Sequence, residues 1–165
     1  MNVLFQRTSI RQYLNQKVEE DKIELLLKAA MQAPSAGNQQ PWEFYVTDNE
    51  DFIRQLSKVS PYAKCLEKAP LAIIPCYRKK NLKYPEYAHI DMSAACENLW
   101  LEATYLGLGC VWLGIAPLQD RMDKVNELLN LSEELESFAI MAIGYPKNQT
   151  KQVDRYDVNR IHHIG

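Results

Sequence analysis

The sequence lacks a strong excess of either charge, which narrows the classes of protein that fit it. Its 165 residues carry 19 basic and 21 acidic side chains, giving a net charge of -2 at pH 7. A protein that neutralises nucleic-acid phosphates, or that binds anionic membranes, usually carries a surplus of lysine and arginine. The composition therefore argues against both kinds of partner.

Long apolar runs are also missing. The fully apolar stretches span only a few residues, whereas a membrane-spanning helix needs about 20. The first residues, MNVLFQRTSIRQYL, show no basic cluster followed by an apolar segment, so they lack the pattern of a signal peptide. We therefore expect a cytoplasmic protein without a membrane partner.

Motifs typical of a metal site or a side-chain nucleophile are absent too. The four cysteines contain no C-x-x-C pair and lie in apolar patterns, which favours reduced core thiols over metal ligands or disulfides. The three histidines are not spaced for a metal, and His162 and His163 are more typical of a solvated tail. Dinucleotide-binding, P-loop, zinc-protease and serine-hydrolase motifs do not occur. We predict no metal and no catalytic nucleophile.

The apolar content, 47% of the chain, is enough for one domain spanning residues 1–165. Periodicity predicts a helix near the N-terminus, further helices over 19–32, 50–59, 62–68, 85–106 and beyond Pro117, and strands over 43–47, 71–77, 110–115 and 137–146. The run over 71–77 is apolar on both faces, which predicts an interior strand, although Pro75 favours a position near a sheet edge or the end of the strand. This order predicts an α+β three-layer sandwich, with a mixed central sheet flanked by helices. The tail, 147–165, cannot form a core by itself.

The segment RTSIRQY, residues 7–13, is a candidate anion site. If it forms the first turns of a helix, Arg7 and Arg11 lie on one face, with Thr8 and Ser9 as candidate caps. Two guanidinium groups, a hydroxyl and free backbone N–H groups together suit a phosphate. The same residues also fit an ordinary capped helix with two solvated arginines.

Two further segments are candidates for binding a flat ligand. The loop APSAGNQQPW, residues 33–42, offers uncharged donors and acceptors that suit a heteroaromatic edge or a polyol, although it also fits a polar surface turn. In LGLGCVWLGIAP, residues 106–117, helix termination explains Gly107 and Gly109. Gly114 inside a strand has an entropic cost, and it would let backbone N–H groups approach a flat ring.

In this order the segments resemble the FMN-dependent nitroreductase family. The resemblance rests on R-T-S-I-R, A-P-S-A-G-N-Q-Q-P-W, D-M-S-A-A-C-E-N-L-W-L-E-A-T-Y-L-G-L-G-C-V-W-L-G and A-I-G-Y-P, followed by a basic tail. It extends from about Phe5 to His163. It implies an intertwined homodimer, in which residues 147–165 cross to the partner subunit.

The resemblance also implies roles for individual residues. Arg7, Thr8 and Ser9 would hold the FMN phosphate, with Arg11 at the ribityl chain and the pyrimidine edge of the ring. The partner's flavin would contact Pro34, Ser35, Ala36 and Asn38. Trp112, Leu113 and Gly114 would lie beside the isoalloxazine, with a backbone N–H of Leu113 or Gly114 close to N5. Arg155, in preference to Arg160, would complete the phosphate site.

The activity implied is an NAD(P)H-dependent FMN oxidoreductase. Hydride would pass from NAD(P)H through flavin N5 to a nitroaromatic, a quinone or a similar small acceptor, in a ping-pong cycle in which the cofactor performs the electron chemistry. The alternatives are a protein that stores or senses flavin without turnover, and a different flavin reaction such as dehalogenation or ene reduction. The sequence leaves open the physiological acceptor and the electron donor.

Overall fold

A five-stranded sheet organises the chain in the computed structural model, which describes residues 2–148 and 153–165. The strands are β1 (Trp42–Thr47), β2 (Leu71–Arg78), β3 (Gly109–Gly114), β4 (Leu135–Ser137) and β5 (Ala139–Gly144). The main path across the sheet is β1-β2-β5-β3, and β4 pairs with β2 beside β5. All these pairs are antiparallel. A parallel bridge between Ser9 and Cys110 adds the chain's N-terminal segment to the β3 edge.

Helices cover both faces of this sheet. They are α1 (Val3–Gln6), α2 (Glu20–Met31), α3 (Glu50–Leu56), α4 (Ala88–Tyr105) and α5 (Gln119–Leu129), with short 3-10 helices at Ala36–Asn38, Ala63–Lys68, Pro85–Tyr87 and Val158–Arg160. Tyr77 of β2 contacts His89 of α4, with 2.9 Å between the phenol oxygen and Nε2. Ser137 of β4 faces the other way and donates to the Met122 carbonyl of α5 at 3.3 Å. The predicted three-layer α+β sandwich is therefore confirmed.

The long helices α2 and α4 lie where the spacing of apolar residues predicts them, because each buries one stripe of its side chains. Helix α2 buries Ile23, Leu26 and Ala30, has acidic residues in its first turn and Lys28 in its last, and ends before Pro34. Helix α4 packs against α2 and against β2 and β3. Among residues 2–148 and 153–165, no helix is long and apolar enough to cross a bilayer.

The helix considered for residues 7–13 does not form. The N-terminal helix is α1, which ends at Gln6, with Arg7 as its C-terminal cap, and the following segment runs along the sheet. Asn2 supplies the N-terminal cap by accepting from the Leu4 N–H at 3.1 Å. The hydroxyls of Thr8 and Ser9 therefore do not cap a helix that contains both arginines, and the sheet edge competes successfully for the backbone donors of this segment.

Strand β2 is an interior strand, as its apolar pattern predicts, and Pro75 neither ends it nor puts it at the sheet edge. Strand β2 continues to Arg78 and has neighbours on both sides, with Pro75 opposite Phe44 of β1. On the other side, β4 pairs from Cys76 onward and β5 pairs up to Ile73, so the proline falls at the break between them. A missing backbone donor is tolerated there, and the Pro75 carbonyl accepts from the Phe138 N–H at 2.9 Å.

The burial of the cysteines predicts their reactivity. All four are free thiols, of which Cys76, Cys96 and Cys110 are buried and Cys65 is half-buried. Burial raises the pKa of Cys76 to about 12, and it also raises the pKa of the other three thiols. A thiol reagent at pH 8 should label Cys65 first and the other three only slowly, because the thiolate reacts. Peptide mapping would identify the labelled thiol, and rapid labelling of several thiols in the folded protein would contradict this packing.

Candidate functional site

The segment from Arg7 to Leu14 is fastened to the sheet by backbone hydrogen bonds. The Ile10 N–H donates to the Cys110 carbonyl at 3.0 Å, and the Leu14 N–H donates to the Tyr145 carbonyl at 2.9 Å. Gly109 permits this approach, because a β-carbon added there would lie 2.6 Å from the Ile10 side chain. The sheet therefore fixes the backbone of the predicted phosphate-binding residues.

The side chain of Arg7 lies against helix α4. Its guanidinium carbon is 4.2 Å from the centroid of the Trp100 ring, and its Nε is 3.6 Å from Glu97 Oε1. The Arg7 side chain is 21% exposed, so the cation is held at the surface on an aromatic face. The indole Nε1 of Trp100 is buried without a hydrogen-bond partner among the described residues.

Arg11 does not share these contacts. Its side chain is exposed, and its charge acts on Cys65 and Tyr13, where it partly opposes the rise in pKa caused by burial. The i, i+4 argument for two arginines on one helical face fails because no helix forms there. Thr8 and Ser9 are half-buried between the two arginines.

The loop over residues 33–42 is attached to the N-terminal part of α4. Asp91 accepts from the Ala36 N–H at 2.9 Å and from Gln39 Nε2 at 2.7 Å. The Ser35 hydroxyl accepts from the Gln40 N–H at 3.0 Å. Pro34 and Asn38 are exposed. Part of the polarity of this loop therefore stabilises its own conformation, which the sequence did not reveal.

The end of β3 combines an aromatic residue, a buried residue and an open backbone. Trp112 packs on Phe138 with ring centroids 5.7 Å apart, and Leu113 is buried. Gly114 is exposed, and a β-carbon added there would meet nothing within 4 Å. The Gly114 carbonyl accepts from Arg121 Nη1 at 2.9 Å. On the side where a β-carbon would stand the Gly114 backbone is therefore open, as the approach of a flat ligand requires, whereas its carbonyl is occupied by Arg121.

The tail contains the two candidate arginines. Arg160 Nε lies 3.2 Å from Asp157 Oδ2, three residues earlier. Arg155 is exposed, and it makes no ion pair with any residue in the parts of the chain that the structure describes. Within the described part of the tail, Arg155 is therefore the arginine without an acidic partner.

Within one chain these parts are separated along α4. Asp91 holds the loop, while Glu97 and Trp100 hold Arg7, so the anchors are about 9–14 Å apart at 1.5 Å per residue. A cation on one side, an open strand end and an uncharged loop suit a flat ligand with an anionic end. The fold is an α+β sandwich, and these groups are chemically compatible with such a ligand.

The comparisons with known proteins agree with this class. The model of the Nitroreductase family matches residues 4–63 and 57–145. A protein of Archaeoglobus fulgidus, provisionally named NADH dehydrogenase/NAD(P)H nitroreductase, is 39% identical over 166 residues, covering 98% of this chain and 95% of that protein. The chain belongs to the nitroreductase family.

Two solved structures are similar over nearly the whole chain. A protein of Clostridium acetobutylicum, provisionally named NADH oxidase, has a TM-score of 0.95 and 48% identity, covering 97% of both chains. The FMN-dependent nitroreductase of Clostridium difficile has a TM-score of 0.91 and 28% identity, covering 99% of this chain and 98% of that one. The family resemblance drawn from the sequence motifs is therefore confirmed.

The two glycines of β3 give a matched pair of variants. Gly109→Ala should destabilise the fold by about 1–3 kcal/mol, because the added methyl group would collide with Ile10. Gly114→Ala should change stability by less than about 0.5 kcal/mol, because the added methyl group meets open space. Urea unfolding of both variants would measure the difference, and equal stabilities would contradict the close approach of Ile10 to Gly109.

Proposed function

We propose that this protein is an FMN-dependent oxidoreductase that takes hydride from NAD(P)H and passes it to a small acceptor such as a nitroaromatic or a quinone. One observation supports this more than any other. This chain, which belongs to the nitroreductase family, holds Arg7 against the Trp100 ring, close to strand β3, which ends at the open Gly114. The related nitroreductase of Clostridium difficile is named as FMN-dependent.

The residues present fit FMN in their chemistry. The phosphate would bind Arg7, Thr8 and Ser9, with Arg155 completing the site from the tail. Arg11 would approach the ribityl chain and the pyrimidine edge. The open backbone at Gly114, next to Leu113 and Trp112, leaves room for the ring. The loop residues Pro34, Ser35, Ala36 and Asn38 would contact the flavin of the partner subunit.

The protein's own part in the reaction is binding, orientation and electrostatics. When bound, FMN would supply the hydride-transfer chemistry, so no side-chain nucleophile is required. The guanidinium of Arg11 would stabilise negative charge at the pyrimidine edge, and the backbone N–H of Leu113 or Gly114 would act near N5. Arg7 on the Trp100 ring would fix the anionic end of the cofactor.

A homodimer is part of this proposal, and the exposed apolar surface supports it. Leu4 and Phe5 of α1 and Tyr105 of α4 are 60%, 71% and 76% exposed. Five apolar residues of the tail are between 44% and 98% exposed, namely Val153, Tyr156, Val158, Ile161 and Ile164. Surface of this kind needs a covering partner. We infer that residues 147–165 extend the single domain onto a second copy. Within this segment, residues 149–152 lie outside the described residues.

We further propose that this enzyme is cytoplasmic, as predicted from the sequence. A reduced nicotinamide donor, and cysteines that are all free thiols, are consistent with a reducing compartment.

Replacement of Arg7 tests the phosphate assignment. Arg7→Ala should weaken FMN binding by about tenfold to 150-fold, because it removes a charge-assisted contact worth roughly 1.5–3 kcal/mol. Flavin fluorescence titration would measure the Kd. Arg54→Ala is the matched control, since Arg54 is an exposed arginine of α3 paired with Asp51. Equal affinities for the two variants would place the phosphate elsewhere.

The absorbance spectrum tests the activity itself. The purified protein, or the protein after FMN addition, should show flavin bands that NADH or NADPH bleaches and that an acceptor such as menadione restores over many turnovers. A flavin-storage protein would bind FMN without rapid bleaching. A colourless protein that takes up no FMN on titration would refute the whole proposal. A panel of nitroaromatic, quinone, halogenated and enone acceptors would then define the reaction.

A further inference from the structure

Asp91 is a buried carboxylate that serves the loop over residues 33–42. It lies in the first turn of α4 and is 4% exposed. Its Oδ1 accepts from the Ala36 N–H at 2.9 Å, and its Oδ2 accepts from Gln39 Nε2 at 2.7 Å. Burying a carboxylate is costly unless its oxygens are hydrogen-bonded. Here each oxygen accepts from the same loop.

Gln39 extends this connection to the segment that precedes α4. Its Nε2 also donates to the Tyr84 carbonyl at 2.9 Å, and its Oε1 accepts from the Tyr84 N–H at 2.9 Å. The Gln39 amide is thus held by the Tyr84 peptide groups and by Asp91 together. We call the set Asp91, Gln39 and Tyr84 the loop clamp.

The loop needs such contacts because its backbone is in an unfavourable conformation. Gly37, Asn38 and Gln40 have φ values of 53°, 54° and 45°, in the left-handed region that most side chains avoid. The Tyr84 ring packs so closely on Gly37 that an added β-carbon would lie 2.7 Å from it. Asp91 contacts residues 36 and 39, which bracket Gly37 and Asn38. The clamp therefore stabilises the stretch that presents Asn38.

We propose that Asp91 is a positioning residue for the flavin site. This inference rests on the proposed function, and it adds a residue that does not itself touch the cofactor. Asp91 acts through Ala36 and Gln39 to hold Ser35 and Asn38 in the arrangement that the flavin requires. Because this loop would contact the flavin of the partner subunit, α4 of one protomer determines cofactor affinity in the other.

The test measures the loop and the flavin separately. Hydrogen exchange of the peptide over residues 34–42, in the protein without flavin, reports the loop conformation. Fluorescence titration with FMN reports the affinity. Asp91→Ala should speed exchange in this peptide and raise the FMN Kd by at least about tenfold, because a loosened loop must be ordered when the ligand binds. Asn98→Ala is the control, since Asn98 lies on the same helix and donates to the Ala29 carbonyl of α2; it should change both readouts by less than about twofold.

Two further variants keep the test decisive if Asp91→Ala folds poorly. Asp91→Asn preserves the side-chain size but places an amide donor against one of the two donors that the carboxylate accepts from, the Ala36 N–H or Gln39 Nε2. Gln39→Ala removes the hydrogen bonds that the Gln39 amide makes with Asp91 and Tyr84, without altering α4. Each should reproduce the faster exchange and the weaker binding, and combining them should add less than the sum of the single effects, because they break one shared contact.

The outcomes separate this inference from the proposed function. Unchanged exchange in all Asp91 and Gln39 variants, or faster exchange with an unchanged Kd, would overturn the positioning role while leaving FMN binding intact. An equal loss of affinity in Asn98→Ala would overturn it as well, since the effect would then be general destabilisation. A wild-type protein that binds no FMN would instead refute the proposed function.

Discussion

The packing of helix α4 against the sheet is the interaction on which the arrangement of the site depends. Its buried face alternates small and larger residues, namely Ala88, Asp91, Met92, Ala95, Cys96, Leu99 and Ala103. Small side chains let the helix approach β3 and β2 closely. Different positions along the helix serve different parts of the site, because Asp91 holds the loop while Glu97 and Trp100, which are not among these buried residues, hold Arg7. A shift of α4 would move both parts together.

The sequence predicted the elements whose signals are local. Apolar periodicity located α2, α4 and α5, and runs of buried residues located β2, β3 and β5, because side-chain burial repeats with the backbone geometry. The three-residue strand β4 was missed, since Leu135–Ser137 is too short to show a period. The N-terminal helix was misplaced because threonine is favoured in strands as well as at helix caps. A contact between Ser9 and Cys110, about a hundred residues away, decides between the two.

The candidate site was predictable to a similar degree. The motif order identified the family, which is confirmed. The roles of Asp91 and Gln39 could not be predicted, because their hydrogen bond joins residues 52 positions apart and neither lies in a motif that requires it. The only signal was the unusual density of amides in the loop, which was interpreted as ligand-facing. In the structure, the Gln39 side chain is hydrogen-bonded to Tyr84 and Asp91 and so stabilises the loop, whereas Asn38 is exposed.

The state of Arg7 bears directly on how this site could accept an anion. The distance of 3.6 Å from Arg7 Nε to Glu97 Oε1 satisfies an ion pair but exceeds the usual hydrogen-bond range of about 2.7–3.2 Å. The guanidinium carbon lies 4.2 Å from the centroid of the Trp100 ring, so the cation also contacts an aromatic ring. The Trp100 ring and the Glu97 carboxylate therefore hold the cation in place without a short hydrogen bond between Arg7 Nε and Glu97. Under the proposed function, a phosphate would bind a guanidinium that these two contacts already order, which lowers the entropic cost of binding.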